Sequence, residues 1–97
     1  MTKKSEIIVK DFSAKWCTPC KIQTPIIKTL KEKYPTINFE LIDIDKNSDE
    51  SDRFEIKAIP TIIIQNDGVI VKRFVGMTVE KDIKKVLDEL LLNNKKK

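Results

Sequence analysis

Histidine is absent from the 97 residues, and cysteine occurs only twice. The first absence removes nucleophilic schemes that pair Cys with His. Together they leave no structural zinc site within one chain, because such a site takes about four Cys or His ligands. A dimer that pools four thiolates is the remaining metal arrangement. Glycine (2) and proline (4) are too scarce for a low-complexity linker. No run approaches the roughly 18 consecutive apolar residues of a membrane span. The opening MTKKSEIIVKDF has no apolar stretch of the signal-peptide kind. The expectation is a cytoplasmic protein with no membrane attachment. In a reducing compartment, a close Cys pair reads as catalytic or metal-binding rather than as a staple.

The formal charge of +4 suggests nucleic acid only until its placement is read. Lys3, Lys4, Lys95, Lys96 and Lys97 lie at the two ends, leaving 14 basic against 15 acidic residues between them. A nucleic-acid face should lie on the folded body. These terminal lysines read as solvated tails, and the expectation is no nucleic-acid partner. The length and the 40% hydrophobic content predict one globular domain over 1–97, with flexible tails at 1–5 and 93–97.

Periodicity orders the elements. Glu6–Phe12 (EIIVKDF) reads as a buried strand. Ser13–Pro19 turns into a helix over about Cys17–Lys33, with Ile22, Ile26, Ile27 and Leu30 as its apolar stripe and Pro25 as a kink. Lys21, Gln23, Lys28, Lys31 and Lys33 are assigned to its opposite side. Asn38–Asp45 is a second strand. Asn47 or Ser48 caps a short helix over Asp49–Ile56. Thr61–Gln65, the turn signal Asn66-Asp67-Gly68 and Val69–Val75 form a hairpin. Thr78 caps a last helix with the stripe Val79, Ile83, Val86, Leu87, Leu90 and Leu91. The order β-α-β-α-β-β-α predicts an α/β fold: a mixed four-stranded sheet with helices on both faces.

Both cysteines sit in WCTPC, residues 16–20. Cys17 falls at a strand-to-helix junction, where free N–H groups and the helix dipole favour a thiolate. Cys20 lies about one turn on, at a separation a disulfide accepts. Pro19 occupies the first helical turn, where a missing N–H costs little. The arrangement suits a reversible dithiol in which Cys17 attacks a disulfide and Cys20 resolves the mixed disulfide. That division needs an exposed Cys17 and a buried Cys20. Asp11, six residues before Cys17, is either a solvated strand-end charge or a buried carboxylate with a raised pKa that takes the proton of Cys20.

WCTPC followed by Lys21 resembles the thioredoxin motif WCGPCK, with Thr18 in place of the middle glycine. The likeness extends along the chain. Lys10-Asp11-Phe12-Ser13-Ala14 resembles VDFWA. Pro25 matches the kink proline, Asp43-Ile44-Asp45 the end of a strand, Ile59-Pro60-Thr61 the IPT segment, and Gly76 the glycine after the last strand. The resemblance covers about residues 6 to 92 and implies a thioredoxin-like fold. It also implies a protein-disulfide reductase, with Cys17 as nucleophile, Cys20 as resolving thiol and Asp11 as proton acceptor. Trp16, Thr18, Pro19, Ile59, cis-Pro60 and Gly76 would form the substrate-binding edge. No metal and no cofactor beyond the redox-active Cys17–Cys20 disulfide is implied. The implied partners are disulfide-bearing proteins and a thioredoxin reductase or other dithiol donor, serving electron transport and redox homeostasis, with the chain as a monomer.

The departures carry expectations of their own. Only ten residues precede Asp11, so the strand and helix usually found there are expected to be missing, giving a trimmed, glutaredoxin-sized fold. Lys10 alternates with Asp11 and is expected to face water or thin packing, with Glu40 beside it. Leu41 stands where a lysine is common, which should raise the Asp11 pKa further. Ser13 replaces a tryptophan and should open space beside the site. Thr-Pro between the cysteines adds no charge, so a reducing potential somewhat above that of ordinary thioredoxin is expected. Two alternatives stand beside the reductase: a glutathione-coupled, glutaredoxin-like reductase, and a non-catalytic binding module built on the same fold.

Overall fold

A computed structural model describes residues 5–95. Lys3, Lys4, Lys96 and Lys97, and so most of the expected tail at 1–5 and the last two residues of that at 93–97, lie outside the described residues. The chain forms β1 (Ile7–Ser13), α1 (Thr18–Lys33), β2 (Asn38–Asp43), α2 (Ser48–Arg53), β3 (Thr61–Asn66), β4 (Val69–Val75) and α3 (Glu80–Lys95). The sheet order is β2-β1-β3-β4. β1 pairs parallel with β2 and antiparallel with β3, and β3 pairs antiparallel with β4. This is the mixed α/β sheet that the element order predicts.

β-branched residues fill β1 and β3, whose side chains alternate between two cores. Ile7, Val9, Ile62 and Ile64 pack with Ile27 and Leu30 of α1 and Ile83 and Leu87 of α3. Phe12, Ile42 and Ile63 pack on the other face with Ile44, Phe54, Ile56 and Ile59. Asp67 and Gly68 both have positive φ, 54° and 84°. That is the requirement of a tight hairpin turn whose twist matches the strands. The Asp67 carboxylate also accepts from the Glu6 backbone N–H at 2.7 Å, tying the turn to the start of β1.

Several local expectations need correction. In α1 the buried residues are Cys20, Gln23, Ile27 and Leu30, while Ile22 is 59% exposed. The inward stripe starts at Cys20 and runs at 3-4-3 spacing, so the polar Gln23 takes the place given to Ile22. α2 stops at Arg53 because Glu55 turns left-handed, with φ 54°. The Ile56 N–H then donates to Ser51 O at 2.9 Å and the Glu55 N–H to Asp52 O at 3.0 Å. This pair of bonds closes a helix end in the Schellman manner. Asn47 occupies the cap position, but its side chain donates to the Asp43 carbonyl instead of capping.

Thr78 does not cap α3. Its hydroxyl donates to the Gly76 carbonyl at 3.0 Å, and the Val79 carbonyl accepts the first helical N–H groups. Val79 is exposed and leaves the stripe. α3 continues through Lys95, so residues 93–95 are helical rather than tail.

Lys10 does not face water. Its Nζ donates to Glu40 and Glu50, each at 2.7 Å, and lies 5.4 Å from the centre of the Phe54 ring. Burial opposes its charge, yet hydrogen bonds and attraction from the two glutamates outweigh that and hold its pKa above the usual lysine value. α2 and the residues after it thus cover the face expected to be thin.

Candidate active site

The site begins where β1 ends. The Cys17 N–H donates to Ala14 O at 3.2 Å, closing the turn that delivers the chain into α1. Cys17 is the N-cap of that helix, and its Sγ accepts the Cys20 N–H at 3.2 Å. One of the free N–H groups of the helix start is therefore aimed at this sulfur. A disulfide joins Cys17 to Cys20 across a Cα separation of 5.3 Å, within the range of unforced bridges. Pro19 lies in the first helical turn, as its missing N–H allows.

In the disulfide form both sulfur residues are covered, Cys17 at 4% and Cys20 at 2% exposure. The expected contrast between an open Cys17 and a buried Cys20 is therefore small. Ala14, Ile44 and Ile59 pack around the pair. A shallow cavity of about 440 Å³ runs beside Cys20 along Ser13, Thr24, Pro25 and Asp43, which is the space a small residue at 13 should leave.

Trp16 stands beside the disulfide, 66% exposed, with its Nε1 donating to Asp45 at 3.0 Å. Thr18 and Pro19 are exposed. The Ile59–Pro60 peptide is cis. The Gly76 N–H donates to the Pro60 carbonyl at 2.8 Å, which brings the loop after β4 against the proline. Gly76 has φ 92°, a conformation that residues other than glycine rarely adopt, and apart from its chain neighbours nothing lies within 4 Å of where its Cβ would be. Val75 and Met77 flank it and are exposed. Trp16 next to Cys17, half-buried Ile59 against the cysteines, and exposed Val75 and Met77 on either side of Gly76 are the apolar residues of this edge.

Asp11 is fully buried on β1, opposite Leu41 and Ile62 in the sheet register. Neither carboxylate oxygen has a hydrogen-bond partner. Burial alone lifts its pKa from 3.8 to about 6, because a charge there loses its hydration without compensation. The buried-carboxylate reading holds, and the solvated one does not. Among the described residues, no group of three or more His, Cys, Asp or Glu is placed to hold a metal ion. No helix among them is long and apolar enough to cross a membrane.

One participant escaped the sequence reading. Gln23 is fully buried. Its Oε1 accepts the Thr78 N–H at 2.7 Å, and its Nε2 donates to the Thr78 carbonyl at 3.0 Å. Its polarity reads as surface, but counting four residues back from Ile27 and seven back from Leu30 puts it on the buried face.

A sequence model of the family described as Thioredoxin matches residues 1–89. A thioredoxin H-type of Populus jackii is 40% identical over 92 residues, covering 92% of this chain and 66% of that protein. The chain thus spans about two thirds of that curated relative. The structure of Fasciola hepatica thioredoxin superposes with a TM-score of 0.80 at 31% identity, covering 87% of this chain and 80% of that one. A further structure concerns the thiol resolving mechanism in yeast mitochondrial 1-Cys peroxiredoxin via glutathione/thioredoxin systems. It superposes with a TM-score of 0.80 at 28% identity, over 87% of this chain and 78% of that one.

Proposed function

The chain belongs to the thioredoxin family, and on that premise we propose how its residues divide the work. It is a thiol–disulfide oxidoreductase, a protein-disulfide reductase carrying the Cys17–Cys20 pair. In the reduced form, the Cys17 thiolate attacks one sulfur of a substrate disulfide. The substrate S–S bond breaks, a Cys17–substrate disulfide forms, and one substrate thiolate leaves. Cys20 then gives its proton to Asp11 and attacks the Cys17 sulfur. The Cys17–Cys20 bond forms and the second substrate thiolate departs. Two electrons have passed to the substrate, and an external dithiol donor, such as a thioredoxin reductase, returns them.

The observation that carries this reading is the cap geometry. Cys17 Sγ, and not Cys20 Sγ, accepts a helix N-terminal N–H, so Cys17 is the sulfur whose anion the helix stabilises. Asp11 supports the second role, being buried, unpartnered and titrating near neutrality. Trp16, Thr18, Pro19, Ile59, Pro60 and Gly76 receive the substrate. The exposed apolar residues around them suit an extended segment of a protein rather than a small polar disulfide.

We place a disulfide on a peroxidase within the substrate class, since a relative's structure concerns a 1-Cys peroxiredoxin. We also place the chain in the cytoplasm, where a reductant of this type finds its thiols reduced. Both cysteines lie on one helix end, so a monomer suffices. The test is the redox midpoint of Cys17–Cys20 in a dithiol buffer series, read by Trp16 fluorescence. The expected value lies near or somewhat above about −270 mV. A value of about −200 mV or higher overturns the reductase assignment in favour of glutaredoxin- or isomerase-like work.

A further inference from the structure

Gly76 and Met77 form part of the proposed docking edge, directly after the end of β4, yet they belong to no helix or strand. Val75 and Met77 turn outward, at 64% and 42% exposure. Such a loop needs an anchor if it is to present a fixed surface. Three contacts supply one. The Gly76 N–H is held by Pro60 O. The Gly76 carbonyl is held by the Thr78 hydroxyl. Thr78 itself is held at both backbone groups by the Gln23 side chain.

Gln23 sits three residues after Cys20 on α1, so its amide links the helix that carries the cysteines to the loop that carries Gly76. The residue type fits the task. A buried peptide unit offers one donor and one acceptor, and a carboxamide returns one of each from a single side chain. Leu or Ile at this place would fill the volume but strand the Thr78 N–H and carbonyl. Stranding them is costly, because buried backbone groups are almost always paired.

We infer that Gln23 is a positioning residue for protein substrates: it fixes the Gly76–Met77–Thr78 loop against cis-Pro60 and so sets where that part of the docking edge stands. The inference rests on the docking role proposed above for Ile59, Pro60 and Gly76. Gln23 touches neither substrate nor sulfur in this scheme. It should therefore matter for a polypeptide that spans the edge, and not for a small disulfide that needs only Cys17.

The test compares wild type with Gln23→Met, which keeps the length and loses the hydrogen bonds. Turnover on insulin, the protein disulfide, is followed with dithiothreitol as the recycling donor, and reduced protein is mixed in a single turnover with dithiobis(nitrobenzoate), the small one. For insulin the variant should show KM raised about tenfold with kcat and redox midpoint unchanged. For the small disulfide its kinetics should match the wild type. An unchanged KM for insulin overturns the inference, as does an equal loss on both substrates, which would mark a general packing role. Failure of the wild type itself to reduce insulin would instead strike the docking reading beneath it.

Native-state hydrogen exchange keeps the inference testable without a variant. The Thr78 amide should exchange as slowly as those of β1. Exchange at the rate of an unprotected loop amide would show that the clamp does not hold.

Discussion

Asp11 joins two properties that rarely occur together, complete burial and the lack of any partner for either carboxylate oxygen. Its pKa of about 6 against 3.8 means that ionisation costs the native state about 3 kcal/mol that the unfolded chain does not bear. The sign follows from proton counting. Between about pH 4 and pH 6 the native state holds a proton that the unfolded state has lost, so stability falls as pH rises through that window and is level above it. Asp11→Asn should abolish the fall and raise stability at pH 7 by up to about 3 kcal/mol. Urea unfolding of both proteins at pH 4 and pH 7 checks this, and equal pH dependence in the two would refute it. The same substitution should slow resolution of the mixed disulfide by about 100-fold, by removing the base. Such a cost fits the proton-accepting role proposed for Asp11, and its type, acid in an apolar strand, makes it legible from the sequence. Gln23 was not legible, because a lone glutamine between two lysine-rich turns reads as surface. Only the inward phase of the helix, set by Cys20, Ile27 and Leu30, places it in the core.

The elements themselves followed from periodicity where apolar residues mark both phase and ends. β1, β3, β4 and the Asp67-Gly68 turn fall within a residue or so of where the alternation and turn chemistry put them. The failures sit where polar residues do unmarked work. The sequence pattern carries α2 to Ile56, but the helix ends in a left-handed closure at Glu55, a position that usually declares itself with glycine. Lys10 reads as a sign of water or thin packing, yet Phe54 covers it and Glu40 and Glu50 pair its charge. Burial of a charge is tolerable when the charge is paired on arrival. Strain at Glu55 gives a prediction at this scale. Glu55→Gly should stabilise the protein by about 0.5–1 kcal/mol, since glycine adopts the required φ without steric cost and this gain exceeds its loss of unfolded-state restriction. Thermal unfolding would read this as a small rise in Tm. A drop would mean that the Glu55 side chain contributes more than its backbone costs.

At the scale of the molecule, one sheet carries two unequal coverings. α1 and α3 make the larger core and α2 the smaller one. The disulfide lies at the rim where β1 hands over to α1, packed against the Ile59 side of the smaller layer. The Tyr34 hydroxyl on Asp88, at 2.6 Å, and the Gln23 clamp on Thr78 fasten α1 to the far end of the chain at two separate points. The helix that presents the cysteines is thereby held as part of the core, while the edge around it stays open to a partner. The two sulfurs divide the labour in this scheme, and trapping separates their roles. Cys20→Ser, reduced and mixed with insulin, should accumulate a covalent protein–insulin disulfide through Cys17, seen by mass spectrometry and released by dithiothreitol. Cys17→Ser, treated alike, should form none. Adducts on Cys17→Ser through Cys20, with none on Cys20→Ser, would contradict the account.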